Sequence, residues 1–365
     1  MAIYHIIGLM SGTSLDGLDI ALCRFETSQV NVQSPETGIC FSLLHAATVP
    51  YPDEWQHRLA RLPQASALDY ALADVELGKW MGLQVANFVS QLPFEPPHEM
   101  VVASHGHTIF HQPQSGLTAQ IGKGDCIAAA CGLPVVCDFR SLDVALGGQG
   151  APLVPIGDQL LFGNYDACLN LGGFSNISFR CGLAFDISPC NIVLNSLAYQ
   201  LGYDYDPDGS LAKQGQIIDP LLPALNKLPF YRQAAPKSLG REWVDQLFMP
   251  VVQQFSTYDT HSLLRTVTEH IATQIAHAIS THRTTPQPIQ LLATGGGALN
   301  QFLIERIKSL SASTHVTIPD TNVINYKEAI IFALLGLLRL IGQPNCLKRV
   351  TGAQTDCCGG HLISR

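Results

Sequence analysis

The apolar positions fall into runs of strand length and longer helical stretches. Residues 3–10 form a continuous apolar run, the pattern of a strand covered on both faces. A glycine-containing turn over residues 11–17 follows, and residues 18–25 predict a second strand. The chain thus opens with a hairpin tipped by Gly12, Thr13, Ser14, Asp16 and Gly17. Residues 53–62 and 67–92 predict helices. Short runs over 100–104, 117–121 and 134–138 predict strands, the first ending at a polar cluster, with a short helix over 125–131 between the last two. The opening theme then returns: a strand over 167–171, a turn around Gly172, Gly173, Ser175 and Asn176, and strands over 177–181 and 183–187. Helices are expected over 191–201, 263–282, 302–309 and 328–340, and a strand over 289–293 runs into Gly295-Gly296-Gly297.

Two halves that each begin strand, polar glycine turn, strand describe an internal duplication. The expected architecture is α/β, with duplicated mixed β-sheets flanked by helices in two lobes, the turn tips facing each other across a cleft. A length of 365 residues agrees, since single cores usually stop growing below that size. The lobes are expected over residues 1–155 and 156–365.

Composition narrows the partners. Hydrophobic residues make up 47% and charged residues 14%, enough to build cores and too apolar for a disordered chain. The net charge of −8 offers no basic patch, which argues against nucleic acid. The longest apolar run, residues 329–338, is closed by Arg339 and is too short for a bilayer, so it reads as a buried helix and no membrane partner is expected. The chain enters its first strand without a basic leader, which points to the cytoplasm. The eleven cysteines are scattered and form no Cys-x-x-Cys pair, as expected of reduced core thiols; a redox switch at Cys357 and Cys358 is the alternative.

Binding a phosphate takes inward-pointing N–H groups, no β-carbon in the way, and hydroxyl or cation partners. The first turn has the glycines and hydroxyls, and Asp16 and Asp19 add carboxylates able to hold a phosphate-bound Mg²⁺. Taken alone it also reads as an ordinary Gly/Asp hairpin. A second such turn at 170–176, and a third glycine-rich element at 294–298 between strand and helix, supply what a clamp around a triphosphate needs. There is no Gly-x4-Gly-Lys-[Ser/Thr] loop and no Gly-x-Gly-x-x-Gly opening a helix, which disfavours P-loop and Rossmann enzymes.

The segment Gly8-Leu-Met-Ser-Gly-Thr-Ser-Leu-Asp-Gly-Leu-Asp19 resembles the N-terminal signature of the anhydro-N-acetylmuramic acid kinases. Ordered blocks agree along the chain: Ser104-His-Gly-His-Thr-Ile-Phe-His111, Asp138-Phe-Arg140 with Asp143, Gly147-Gly-Gln-Gly-Ala-Pro-Leu-Val-Pro155, Leu169-Asn-Leu-Gly-Gly-Phe-Ser-Asn-Ile177, Phe185-Asp186, Pro236-Lys-Ser238 with Gly240-Arg-Glu242, Gly295-Gly-Gly-Ala298 and Val350-Thr-Gly-Ala353. The resemblance implies the fold of the sugar kinase, Hsp70 and actin superfamily, an actin-like ATPase clamp with ATP between its lobes. It implies ATP phosphates on Gly12, Thr13, Ser14, Leu15, Asp16, Gly17, Leu18 and Asp19, and phosphates and adenosine on Gly172, Gly173, Gly295, Gly296 and Gly297. Mg²⁺ would accompany the nucleotide at Asp16 and Asp19, and the family suggests a homodimer.

The implied reaction converts 1,6-anhydro-N-acetylmuramic acid, water and ATP to N-acetylmuramic acid 6-phosphate and ADP, in recycling of cell-wall peptidoglycan. O6 of the anhydro sugar is tied to C1, so water must attack C1 while O6 takes the phosphoryl group. Asp186 matches the family's base, with capping of the helix near Asn191 as its structural alternative. Glu328 is a second candidate for orienting water or stabilising charge at C1; it also suits a helix start. His105, Asp138, Arg140 and Asp143 are expected to bind sugar hydroxyls and the lactyl carboxylate, with a plain ion-pair network as the alternative for the last three.

Two departures stand out. The family usually reads Phe-Asp-x-Gly-Pro-Gly-Asn around its base; here Ser188 and Cys190 replace the glycines. If either glycine needs positive φ or close approach of the sugar, the replacement costs about 1 kcal/mol or more, or blocks contact. His107 stands where the family usually has glutamine. On a strand His105 and His107 would share a face, as metal ligands do, although core or cleft imidazoles are the plainer reading. A kinase for another sugar, or a sensor that closes without turnover, are the rival functions; sugar-dependent ATP consumption separates the sensor from the kinase.

Overall fold

The computed structural model describes residues 1–12, 15–28, 30, 38–235, 237–283 and 286–364. Thr13 and Ser14 of the first turn therefore lie outside the described residues. The strands are β1 (Ala2–Ser11), β2 (Gly17–Thr27), β3 (Ile39–Pro50), β4 (Val101–Gln112), β5 (Leu117–Ile121), β6 (Val135–Cys137), β7 (Ala167–Leu171), β8 (Phe174–Phe179), β9 (Ala184–Pro189), β10 (Ile289–Thr294), β11 (Thr314–Thr317) and β12 (His361–Ile363).

The chain divides into two compact units, Met1–Leu161 with Tyr326–Arg365, and Phe162–Asn325. In the first, β1 lies antiparallel to β2 and β2 to β3, while β1 runs parallel to β4 and β4 to β6. In the second, β7 is antiparallel to β8 and β8 to β9, while β7 runs parallel to β10 and β10 to β11. The five-strand orders β6-β4-β1-β2-β3 and β11-β10-β7-β8-β9 are the same, with the same directions. The expected duplication of mixed sheets is thus present strand for strand. The first sheet adds β5 beside β4 and β12 beside β6.

The central strands are apolar on both faces because helices cover both. Ile7, Leu9, Leu18, Ile20 and Leu22 pack with Leu77, Met81 and Val85 of helix Ala67–Ser90. Helix Thr321–Leu340 approaches the sheet so closely that a β-carbon at Gly8 would lie 1.8 Å from the Ala329 carbonyl oxygen. In the second unit Leu169, Leu171, Ile177 and Ile187 share a core with Leu264, Val267 and Ile271 of helix Thr260–Thr281. Asp259 caps that helix by accepting from the Ser262 N–H at 2.9 Å, which starts it three residues before the apolar period.

The first crossing between units, after Leu161, lies near the expected boundary at 155. Residues 326–365, expected in the second lobe, belong instead to the first unit. Tyr326, with non-helical φ/ψ of −108° and 15°, interrupts helix Thr321–Leu340 where the chain crosses back. The apolar run after it packs on β1 and β4, where a β-carbon at Gly336 would meet Ala103 at 2.6 Å, and β12 pairs with β6. An apolar run says that a helix is buried, and leaves open against what. Strand β3 escaped the sequence reading because its burial is partial and follows no clean alternation. Among the described residues no helix is long and apolar enough to cross a membrane.

Candidate active site

The β1–β2 tip of the first unit is acidic. Asp19 lies in β2, opposite Met10, and its Oδ1 accepts from the Thr48 hydroxyl of β3 at 2.6 Å. Burial pushes the Asp19 carboxyl above its ordinary range; the Thr48 hydrogen bond opposes this and the charge of Asp16 adds to it. Glu328 follows the Tyr326 kink by half a turn, and the Gly8–Ala329 contact fixes its place beside this strand pair. Partial burial pushes its carboxyl up, as does the charge of Asp19, against the pull of Arg140 and Lys327. Lys327 itself is bound to Asp158 at 2.7 Å. The charge of Asp16 acts on Asp19 and that of Asp19 on Glu328, so the three carboxylates belong to one acidic region of the first unit. Not every residue of this motif faces a ligand. Leu18 is fully buried in the core, so only its backbone can take part, and Gly17 is needed for packing, since a β-carbon would lie 2.6 Å from the Val49 carbonyl oxygen. Leu15 sits at positive φ, 61°.

Next to it lies the expected sugar side. β4 does not end at Ser104; it runs on through His105 and His107 to Gln112. Gly106, at φ +74°, breaks the regular alternation, so the two histidines keep separate company. His105 accepts at Nε2 from the Arg140 Nε–H at 3.0 Å and lies against the Phe332 ring. Burial, with the Arg140 charge, holds it well below the ordinary histidine range, so it is neutral and carries its proton on Nδ1. His107 bonds Ser11 Oγ through Nδ1 at 2.8 Å, and burial lowers it to about 4. Arg140 also donates to the Gly150 carbonyl at 2.6 Å. Asp138 has positive φ, 59°, and its Oδ1 accepts from the Ser141 N–H at 3.2 Å. His105 and Asp138 line one cavity of about 220 Å³ with Ser104, Gln120, Lys123 and Ser141. Asp143 is set apart from it. It is wholly buried, accepting from Thr351 Oγ1 at 2.7 Å and the Gly150 N–H at 2.8 Å, so it braces the loop behind Arg140.

The second unit gathers the Gly172–Gly173 turn, the Gly295–Gly297 run and the segment at Cys190 and Asn191 into one nest. The N–H groups of Cys190 and Asn191 donate to the carbonyls of Gly173 and Gly172 at 2.8 and 3.1 Å, and Asn191 Nδ2 donates to the Leu171 carbonyl at 3.1 Å. Gly295, at φ +79°, and Gly297 press against Leu171, where β-carbons would come within 2.8 Å. Gly172, Gly173 and Gly296 are different: nothing approaches their missing β-carbons closer than 3.4 Å. They present bare backbone, the surface a phosphate or nucleotide requires. Asp186 lies in β9 opposite Asn176, next to a bulge that breaks the β8–β9 register before Ser175–Ser188. Bulges re-aim side chains at functional sites. Its Oδ2 accepts from the Leu239 N–H at 2.8 Å, and its own N–H donates to the Lys237 carbonyl at 2.9 Å. Burial pushes the Asp186 carboxyl above its ordinary range, with the Leu239 hydrogen bond opposing. A carboxylate so tuned is a better base near neutral pH than an exposed one.

A family model described as anhydro-N-acetylmuramic acid kinase matches residues 4–364. The chain belongs to the anhydro-N-acetylmuramic acid kinase family. Proteins of that name from Hydrogenovibrio crunogenus (strain DSM 25203 / XCL-2) and Vibrio vulnificus (strain CMCP6) are 35% and 34% identical to it, over 377 and 379 residues. Each alignment covers 98% of this chain, and 97% and 98% of the relative. A solved ROK family glucokinase from Streptomyces griseus in complex with glucose and AMPPNP aligns over 91% of this chain and 98% of its own, at 12% identity and a TM-score of 0.35.

For a sugar kinase of this family, Ser188 and Cys190 beside Asp186 are the residues to account for. Neither has positive φ; Cys190 sits at φ −131°. Both are fully buried. Ser188 Oγ donates to the Pro189 carbonyl at 2.8 Å and also meets the Tyr231 hydroxyl. Tyr231 continues to His270 Nε2 at 2.8 Å, and His270 Nδ1 to Asn226 Oδ1 at 2.6 Å. The anticipated strain is therefore absent, and the serine is tied into a polar chain that steadies the strand carrying Asp186. Nothing in the sequence marked Tyr231, His270 or Asn226. Thr48 was missed with β3, and Gln120 and Lys123 because neither belongs to a motif. Asn191 was visible, inside the family segment.

Proposed function

We propose that this kinase uses ATP to convert 1,6-anhydro-N-acetylmuramic acid and water to N-acetylmuramic acid 6-phosphate and ADP, with Asp186 as the base. The carrying observation is Asp186 at the bulge of β9, its carboxyl raised by burial and held by the Leu239 N–H. Asp186 takes a proton from water as its oxygen attacks C1; the C1–O6 bond breaks, and O6 attacks the γ-phosphorus as ADP leaves. Glu328, beside Asp19 and Arg140, orients the water or offsets positive charge developing at C1. The bare edges of Gly172, Gly173 and Gly296 take the nucleotide, together with Gly12 and the following turn residues, while Gly295 and Gly297 shape the nest. Asp16 and Asp19 hold Mg²⁺, which when bound neutralises phosphate charge.

On the sugar side, His105 and Asp138 meet hydroxyls in their shared cavity. Lys123, exposed in the same cavity, suits the lactyl carboxylate better than Arg140, whose guanidinium is committed to His105 and Gly150. Asp143 acts through Arg140 and the Gly150 loop. The chain works as a cytoplasmic homodimer in peptidoglycan recycling, as its family suggests. The test is turnover of ATP with Mg²⁺ and the anhydro sugar in ¹⁸O-labelled water. The expected product is a 6-phosphorylated sugar with the label at C1. Unlabelled product, or ADP formed without sugar phosphate, would refute the coupled reaction.

A further inference from the structure

Behind Arg140, away from the cavity of His105 and Asp138, three metal-ligating side chains converge. Asp143, Cys346 and Cys357 place one ligand atom each within 4.8 Å of one another, and all three are buried. They come from two stretches of chain. Asp143 lies in helix Ser141–Ala145, and the cysteines face each other across an isolated antiparallel bridge, each N–H donating to the other's carbonyl at 3.0 Å. Asn345 fixes that bridge: its Nδ2 donates to the Leu335 and Gly359 carbonyls at 3.2 and 2.8 Å, and its Oδ1 accepts from the Gly359 N–H at 2.7 Å.

The structure assigns to Asp143, Cys346 and Cys357 a buried site for a thiophilic divalent cation of the zinc class. Two thiolates and a carboxylate are a common tetrahedral donor set, and the Phe139 carbonyl oxygen, 3.5 Å from Cys346 Sγ, or a water takes the fourth position. The second shell that such sites need is in place. Thr351 Oγ1 and the Gly150 N–H each donate to a different oxygen of Asp143, orienting the carboxylate and leaving it further lone pairs. Charge also agrees. Binding follows M²⁺ + 2 RSH + RCOO⁻ → [M(SR)₂(OOCR)]⁻ + 2 H⁺, and the guanidinium of Arg140 lies within electrostatic reach of Cys346 to balance the anion. A simple dithiol switch would use only the two sulfurs; a cation uses all three groups. The ion would tie the segment 345–359 to the helix that follows Arg140.

The test uses the reduced, full-length protein titrated with Co²⁺. One equivalent should give tetrahedral d–d bands and a thiolate-to-cobalt charge-transfer band, lost in Cys346→Ser and Cys357→Ser and weakened at least tenfold in affinity by Asp143→Asn. A readout that needs no variant guards against misfolding: one equivalent of Zn²⁺ should slow alkylation of Cys357 at least tenfold in the wild-type protein, read by peptide mass spectrometry. The exposed Cys40 and Cys181 should continue to react and serve as internal controls. Cobalt bands unchanged in both cysteine variants, or unprotected Cys357, would overturn the assignment. Loss of two mass units under a mild disulfide oxidant, without cobalt binding, would overturn it in favour of a redox pair.

Discussion

The two units use one strand order for different chemistry. In the first, the tip of β1 and β2 and the neighbouring β4 carry side chains, Asp16, Asp19 and His105, joined by Arg140 from the segment after β6 and by Glu328 from a helix pressed against Gly8. In the second, the corresponding tip between β7 and β8 carries almost nothing but backbone, Gly172 and Gly173, joined by Gly296 after β10, and a single carboxylate on β9. Duplication supplies two equivalent hairpin tips, and the residues placed on them decide the task. A tip rich in carboxylates suits a cation and a polyhydroxyl ligand, whereas a tip stripped of β-carbons suits an anion held by N–H groups.

The sharpest way to break this comparison is at the β9 carboxylate beside the second unit's tip. Asp186→Asn should lower kcat by about 10²–10⁴-fold, the usual share of a general base, and leave the melting temperature and ATP affinity near wild type. In the wild-type enzyme burial raises the Asp186 carboxyl, so its charged form is lost at a higher pH than for an exposed aspartate. The acid limb of kcat/KM should therefore turn above the ordinary carboxylate value of 3.8. Replacing Leu239 by proline removes the N–H that favours the charged form and should move the limb to still higher pH. A limb that stays put in that variant would assign it to another group.

Glycines separate the two tips by the kind of damage a methyl group does. Gly8→Ala would drive a β-carbon into the Ala329 backbone and should cost about 3 kcal/mol or more, read as a lowered urea midpoint. Gly296→Ala meets nothing nearer than 3.8 Å and should leave stability within about 1 kcal/mol. Its effect should appear as an ATP KM raised about tenfold, equivalent to 1.4 kcal/mol of lost binding. Equal loss of stability in both variants would mean that Gly296 serves packing, as Gly297 does.

How far the site could be read in advance follows the same division. Backbone-built features were legible, because glycines in Leu169–Ile177 and after β10 announce a bare turn wherever they fold. The repeated hairpins were legible too, since each is local. Contacts made across the chain were not. The apolar run before Arg339 showed a buried helix but not that it returns to the first unit, and nothing paired the Arg140 side chain with His105 rather than with an acid. Asp143, grouped by sequence with the sugar ligands, is buried by Thr351, more than two hundred positions away.

The first unit buries two neutral histidines, His105 and His107, and the second buries His270; acid should find all three. His107 is lowered to about 4 and His270 to about 3 by burial, from 6.5. The unfolded chain binds more protons than the folded one between those values and 6.5. The stability they contribute is complete above 6.5 and is lost as pH falls below it. Each histidine should contribute a slope of about 1.4 kcal/mol per pH unit once the pH is well below 6.5. Urea midpoints between pH 6.5 and 5, above the ordinary carboxylate range, read this slope. His270→Gln should reduce it by one proton and His107→Gln by another; an unchanged slope would show that these imidazoles ionise in place.

The smallest effect expected is at the departure from the family pattern. Ser188→Gly restores the family residue but removes a hydroxyl bonded to the Pro189 carbonyl and to Tyr231. It should cost about 1 kcal/mol of stability, the usual net worth of one hydrogen bond. Because Ser188 sits at an ordinary φ with its side chain turned into the core, no strain is released and no obstruction to the sugar is cleared. The turnover number should change by less than about threefold, within what a small shift of Asp186 produces. A tenfold rise in kcat would show instead that the serine holds the base out of line, and that the second unit's tip is tuned by its side chains as the first unit's is.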